Sequence, residues 1–145
     1  MSPGDRPFKR SATRFDQQGR LASAEEATRL RRQLTGWLRD LGMSADTVDT
    51  IGLASYEAMA NVVTHAYPPG TVGRLAVSAQ LDHDTITVTV TDRGRWKPAQ
   101  AEPQLLHGRG LLLIRHLAEQ VAVDPGEQGT TVSMSFPVDA GGSGR

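Results

Sequence analysis

The stretch YEAMANVVTHAY, residues 56–67, constrains the fold most, because as a helix it has two unlike sides. At ~100° per residue, Glu57, Asn61 and His65 fall at about 0°, 40° and 80° around the axis, so one flank carries a carboxylate, an amide and an imidazole. Val48, Ile51, Met59, Val62 and Ala66 lie within roughly 60° of the opposite direction. That apolar side has to be buried against another element. The polar flank either meets water, as charged and amide side chains usually do, or is a site.

The chain upstream offers a partner for the apolar side. Ser23-Ala24-Glu25-Glu26 reads as a capping box, in which the hydroxyl and the Glu26 carboxylate satisfy free backbone N–H groups reciprocally. Behind it Ala27, Leu30, Leu34, Trp37, Leu38 and Leu41 recur at helical spacing, leaving Arg29, Arg31, Arg32, Arg39 and Asp40 mostly outward. A first helix is therefore expected over residues 23–41, with Gly42 as its stop. Ser44 can cap the second helix, which runs to about Ala66 before Pro68-Pro69-Gly70 ends it. Residues 1–19 are polar, with Phe8 and Phe15 as their only large apolar anchors. The first few are expected to be disordered, and weak alternation between Pro7 and Phe15 allows a first strand there.

Downstream the period changes from helical to two. Leu75, Val77 and Ala79 alternate with polar neighbours, as do Ile86, Val88 and Val90, which predicts a β-hairpin over residues 73–81 and 85–91 around Asp82-His83-Asp84. The second strand runs into Asp92-Arg93-Gly94-Arg95-Trp96. Residues 95–107, rich in Pro, Gln and Ala with little periodicity, read as a mobile loop. Gly108-Arg109-Gly110 then opens Leu111, Leu112, Leu113, Ile114, Leu117 and Ala118, a run apolar on most sides that predicts a buried third helix. Residues 121–123 and 130–138 read as a closing strand pair around Pro125-Gly126, and residues 139–145 as a flexible tail. One domain, residues 20–138, follows; typical domains have ~100–150 residues.

Composition removes several function classes. Sixteen basic and sixteen acidic residues cancel, so the one-signed field of a protein that holds nucleic acid or an anionic membrane by charge is missing. With no Cys and four scattered His, thiolate metal sites and a transition-metal enzyme are not expected. No apolar run approaches the ~18–20 residues of a membrane span and no signal-peptide core is evident, so the expectation is a cytoplasmic protein.

Four pieces carry the chemistry: Glu57 with Asn61 on a helix, Asp92-x-Gly94 after a strand, Gly108-x-Gly110 at a helix start, and Gly129-Thr130-Thr131 before the last strand. Each alone has an ordinary reading, since paired glycines serve tight bends and Asp is a common turn residue. Gly108-Arg109-Gly110 also lacks the third glycine of a dinucleotide fingerprint, Leu113 standing there instead. Unpaired N–H groups at a helix start can equally cradle phosphate. A carboxylate held at a strand end beside a glycine can accept an adenine amino hydrogen.

In this order the pieces resemble the ATP-binding fold shared by gyrase B, Hsp90, histidine kinases and MutL, and most closely its anti-sigma factor serine kinase branch. The resemblance spans about residues 23–136. Its most specific part is E-x-x-x-N-x-x-x-H-A-Y at Glu57, Asn61, His65, Ala66 and Tyr67, joined by D-x-G and G-R-G-L. It implies an α/β sandwich of the Bergerat type, a mixed, mostly antiparallel sheet with helices on one face. It implies that Asn61 ligates a Mg²⁺ bridging the phosphates of ATP and that Glu57 is the general base. Asp92 would bind the adenine amino group, Gly94 would admit the ring, Gly108 and Gly110 would flank the triphosphate, and Thr130 would support Asp92. His65 follows the family pattern, as a phosphate contact or as a helix residue near the lid. Arg109, Arg95 and Lys97 are candidate phosphate cations, Arg109 favoured by its place between the glycines, or else solvated surface charges.

This sequence departs from the family where Trp96 replaces the second glycine of D-x-G-x-G, so the start of the lid is shaped differently. The activity implied is phosphorylation of a serine on a small anti-sigma factor antagonist of the STAS type, with a sigma factor held in turn. A homodimer is implied as common in that branch. A regulatory module that binds ATP without catalysis, or an ATPase with no protein acceptor, is the alternative.

Overall fold

The computed structural model describes residues 13–94 and 109–138. The expected lid and tail, Phe8, Arg95, Trp96, Lys97 and Gly108 lie outside these. The first strand, β1 (Arg14–Leu21), falls later than the expected window of Pro7 to Phe15. Phe15 is its buried anchor and packs against Trp37 with ring centroids 5.9 Å apart.

Helix α1 (Ala24–Asp40) begins as the sequence predicts, the Ser23 hydroxyl accepting the Glu26 N–H at 3.1 Å. The reciprocal half of the box does not form. The buried Glu26 carboxylate pairs instead with Arg20 and Arg29, two charge-assisted bonds that outweigh one backbone N–H at an exposed helix start. At the other end Gly42 adopts φ +89. The Met43 N–H then reaches the Leu38 carbonyl and the Gly42 N–H reaches Arg39, closing the helix by a Schellman motif with Met43 packed beside Leu38.

Helix α2 (Ala45–Asn61) starts at Ser44, whose hydroxyl accepts the Thr47 N–H at 3.2 Å. It does not continue as α-helix to Ala66. Residues Val62–Ala66 form a π-helical turn, the looser winding that often marks functional positions. The β-branched run Val62-Val63-Thr64 disfavours regular α-helix, while Val62 and Ala66 both stay buried. The ideal-helix angle for His65 therefore fails, although Glu57 and Asn61 keep their shared flank.

The hairpin forms from β2 (Arg74–Asp82) and β3 (Thr85–Asp92), paired from Leu75 opposite Asp92 to Asp82 opposite Thr85. Helix α3 (Arg109–Leu117) precedes β4 (Gln120–Gly126) and β5 (Gly129–Pro137). The β4–β5 turn is at Glu127-Gln128, between paired Gly126 and Gly129, not at Pro125-Gly126. Pro125 sits within β4 because that strand is at the sheet edge, where a missing N–H is tolerated. The sheet order is β1-β2-β3-β5-β4, and all four pairings are antiparallel rather than mixed.

One face of this sheet meets the helices. Leu75, Val77, Ala79, Ile86, Val88, Val90, Val132, Met134 and Phe136 are buried there against Leu30, Leu34, Leu38, Ile51 and Met59. Helix α3 departs from the expected near-complete burial. Leu111 and Ile114 are in the core, but Leu112 is 48% exposed and Arg115 and His116 face outward, so one stripe of the helix does the packing.

Candidate functional site

The end of β3 is where the predicted pieces meet. Asp92 points to the helix side of the sheet and is 2% exposed. Its Oδ1 accepts the backbone N–H of Gly94 at 2.9 Å and of Thr130 at 3.3 Å. A carboxylate this deep needs such donors, since burying an unpartnered charge costs several kcal/mol. Thr130, also 2% exposed, thus supports Asp92 through its main chain.

Two glycines allow the corner to close. A Cβ on Gly94 would lie 2.7 Å from the Ala66 carbonyl carbon, and nearer still to its oxygen. The Asp92-Arg93-Gly94 turn is therefore pressed directly onto the last residue of the π-turn. Gly129 has φ +137, and a Cβ there would be 2.7 Å from the Asp92 carbonyl carbon and 2.8 Å from the Arg93 Cα. Only glycine combines that conformation with that approach.

Tyr67 ties the same corner from outside. It leaves the π-turn with extended backbone, its hydroxyl donates to the Arg74 carbonyl at 2.5 Å, and it accepts the Arg93 N–H at 3.0 Å. Its ring lies over Gly73, where a Cβ would overlap ring carbons. The motif that contains Tyr67 assigns it no task, and nothing in the sequence singles out Gly73. The only available signal was an aromatic residue directly after a helix and six residues before a glycine.

Glu57 and Asn61 lie on the final turns of α2, both half-buried, one helical turn or ~6 Å apart along the axis. His65 is exposed on the π-turn. Arg109 and Gly110 open α3, which packs along α2. The structure thus joins Asp92, Gly94, Thr130 and the C-terminal end of the Glu57–Asn61 helix in one corner, with the start of α3 on a neighbouring element. Among the described residues no group of three His, Cys, Asp or Glu side chains could hold a metal, and no helix is long and apolar enough to cross a membrane.

Comparison with known proteins agrees with this architecture. A model of the family described as histidine kinase-like ATPase domain matches residues 21–136. The serine-protein kinase RsbW of Staphylococcus epidermidis is 30% identical over 128 residues, covering 78% of this chain and 80% of that protein. The RsbW of Bacillus licheniformis is 29% identical over 120 residues, covering 73% and 74%. A crystal structure of the RsbU and RsbW domains of a Mycobacterium tuberculosis protein superposes with a TM-score of 0.69 at 25% identity, over 86% of this chain and 32% of that longer one. The chain belongs to the histidine kinase-like ATPase domain family, in its anti-sigma factor kinase branch.

Proposed function

We propose that the protein is a Mg·ATP-dependent serine-protein kinase that phosphorylates an anti-sigma factor antagonist and holds a sigma factor while the antagonist is phosphorylated. The observation that carries this reading is the Asp92 corner, a buried carboxylate fixed by two main-chain donors against the end of the helix that bears Glu57 and Asn61. A carboxylate so held can accept the exocyclic amino group of adenine in a set direction, which distinguishes adenine from guanine. Gly94, by its close approach to Ala66, holds the turn that carries this carboxylate.

The remaining residues suit phosphoryl transfer. The Asn61 amide oxygen is a hard donor of the kind Mg²⁺ prefers, and an ion that keeps waters and phosphate oxygens in its shell would need few protein ligands beside it. When bound, the ion neutralises charge on the phosphates. Glu57 takes the proton of the acceptor serine hydroxyl, the serine Oγ bonds to the terminal phosphorus, and the bond to the bridging oxygen breaks to leave ADP. In this reading the N–H groups at the start of α3 would receive the phosphates, and Arg109 would supply a cation for them. His65, exposed on the π-turn, is a further phosphate contact. The open side of α1 and α2 is the face for a second copy of the chain.

Incubation with γ-labelled ATP and candidate antagonist proteins tests the reading. Label on an antagonist supports it, whereas free phosphate alone identifies a hydrolase and no transfer at all identifies a binding module. Glu57→Ala should retain ATP binding and lose label transfer by ~10²-fold or more, the span of a general base. Unchanged transfer would remove Glu57 from that role.

A further inference from the structure

The sheet face turned away from the helices contains a recess of about 380 Å³ that the nucleotide reading does not use. Its floor is made by the pairs Ala76–Thr91 and Ser78–Thr89 on β2 and β3, so the alanine methyl lies among one serine and two threonine side chains. The β1 edge forms its wall. Pairing of β1 with β2 slips between Gln17 and Arg20, which lifts Gln18 and Gly19 out of the ladder and over the recess.

Two arginines close one end. Arg74 donates one N–H to the Gly19 carbonyl at 3.1 Å, and Arg93 is exposed beside it at the end of β3. Among the described lining residues there is no carboxylate. Asp16, next along the open face of β1, binds the Gln18 amide at 2.6 Å. The lining is therefore cationic at one end and neutral, hydroxyl-rich at the other.

We propose that this recess binds a small oxyanion-headed ligand of sugar-phosphate size. The phosphate or carboxylate sits between Arg74 and Arg93, whose planar guanidinium groups match such oxyanions with paired N–H donors. The hydroxylated body lies over Ala76, where Ser78, Thr89 and Thr91 can each donate or accept. The volume is within the range of small-molecule sites, roughly 300–1,000 Å³. Binding here does not require the protein to bind ATP, since the site is on the opposite face of the sheet from Asp92.

The test is an amide-shift titration of the full ¹⁵N-labelled chain with glucose 6-phosphate, inorganic phosphate and glucose. Saturable shifts at Gly19, Ala76 and Thr91 are expected, at least tenfold tighter for glucose 6-phosphate than for phosphate, with glucose silent. The double variant Arg74→Gln/Arg93→Gln should weaken binding tenfold or more, and Ala76→Leu should abolish it by filling the floor. Asn61→Ala should leave it unchanged, which separates this site from the nucleotide site. Equal affinity for phosphate and glucose 6-phosphate would mean an adventitious ion only. That result, an absence of saturation, or undiminished binding in the double arginine variant would overturn the proposal.

Discussion

Gly94→Ala tests how tightly the Asp92 corner is closed. The new methyl carbon would begin 2.7 Å from the Ala66 carbonyl carbon and 3.0 Å from the Ala66 Cβ, against a preferred carbon separation of ~3.5–4.0 Å. Both neighbours are backbone or rigid, so the turn has to retreat by about 1 Å. The strain of such overpacking is about 1–3 kcal/mol. A retreat of that size also breaks the 2.9 Å bond from the Gly94 N–H to Asp92, adding about 0.5–1.5 kcal/mol. The sum, about 1.5–4.5 kcal/mol, lowers Tm by roughly 5–18 °C at about 3–4 °C per kcal/mol for a chain of this size. Scanning calorimetry measures the drop, and calorimetric titration with ADP should show affinity falling in parallel because the Asp92 oxygens lose their orientation. Gly36→Ala is the control, since nothing lies within 4 Å of the Cβ it adds inside α1. It should stabilise by about 0.5–1 kcal/mol through helix propensity. A Gly94→Ala protein within 2 °C of the parent and with unaltered ADP affinity would refute the close approach.

Other substitutions separate the supports of the same corner and its helix. Tyr67→Phe removes the hydroxyl that joins Arg74 to Arg93 and should cost about 0.5–1.5 kcal/mol, read as a shift in urea midpoint without a change in slope. Ser55→Ala should raise stability by about 1 kcal/mol, because the Ser55 hydroxyl is fully buried in α2 without a hydrogen-bond partner among the described residues; a lower Tm would mean that it has one. Thr130→Val keeps the N–H that reaches Asp92 while deleting the hydroxyl, so ADP affinity should stay within threefold. A tenfold loss would show that the hydroxyl itself serves the nucleotide.

Most of the fold was legible because its signals are local. Ser23, Ser44 and Gly42 announce helix ends through the backbone groups they satisfy or the φ they permit, and each sits where those signals put it. The β2–β3 hairpin follows from two alternating runs of opposite parity across a short turn. Where the reading erred, a tertiary partner decided. Glu26 gave up the capping box for Arg20, a residue on another element. The run from Leu111 read as buried all round, yet α3 has one neighbouring stripe to meet, and Leu112 is on the wrong side of it. The β4–β5 turn moved past Pro125 because edge position, invisible in a single strand's sequence, makes proline acceptable.

The site divides along the same line. Residue types and order pointed to Glu57, Asn61, Asp92, Gly94 and Thr130, but the forces that set the Asp92 corner are main-chain donors and backbone contacts that no residue type displays. The family resemblance implies that Gly94 makes room for a ligand ring. Its first duty is to the backbone, because a Cβ there would collide with the Ala66 carbonyl. The π-turn is the other half of that fit. The chain leaves it in extended conformation at Tyr67, whose hydroxyl joins the Arg74 carbonyl to the Arg93 N–H. The helix irregularity, the tyrosine and the two glycines thus form one joint, which fixes the direction in which the buried carboxylate points.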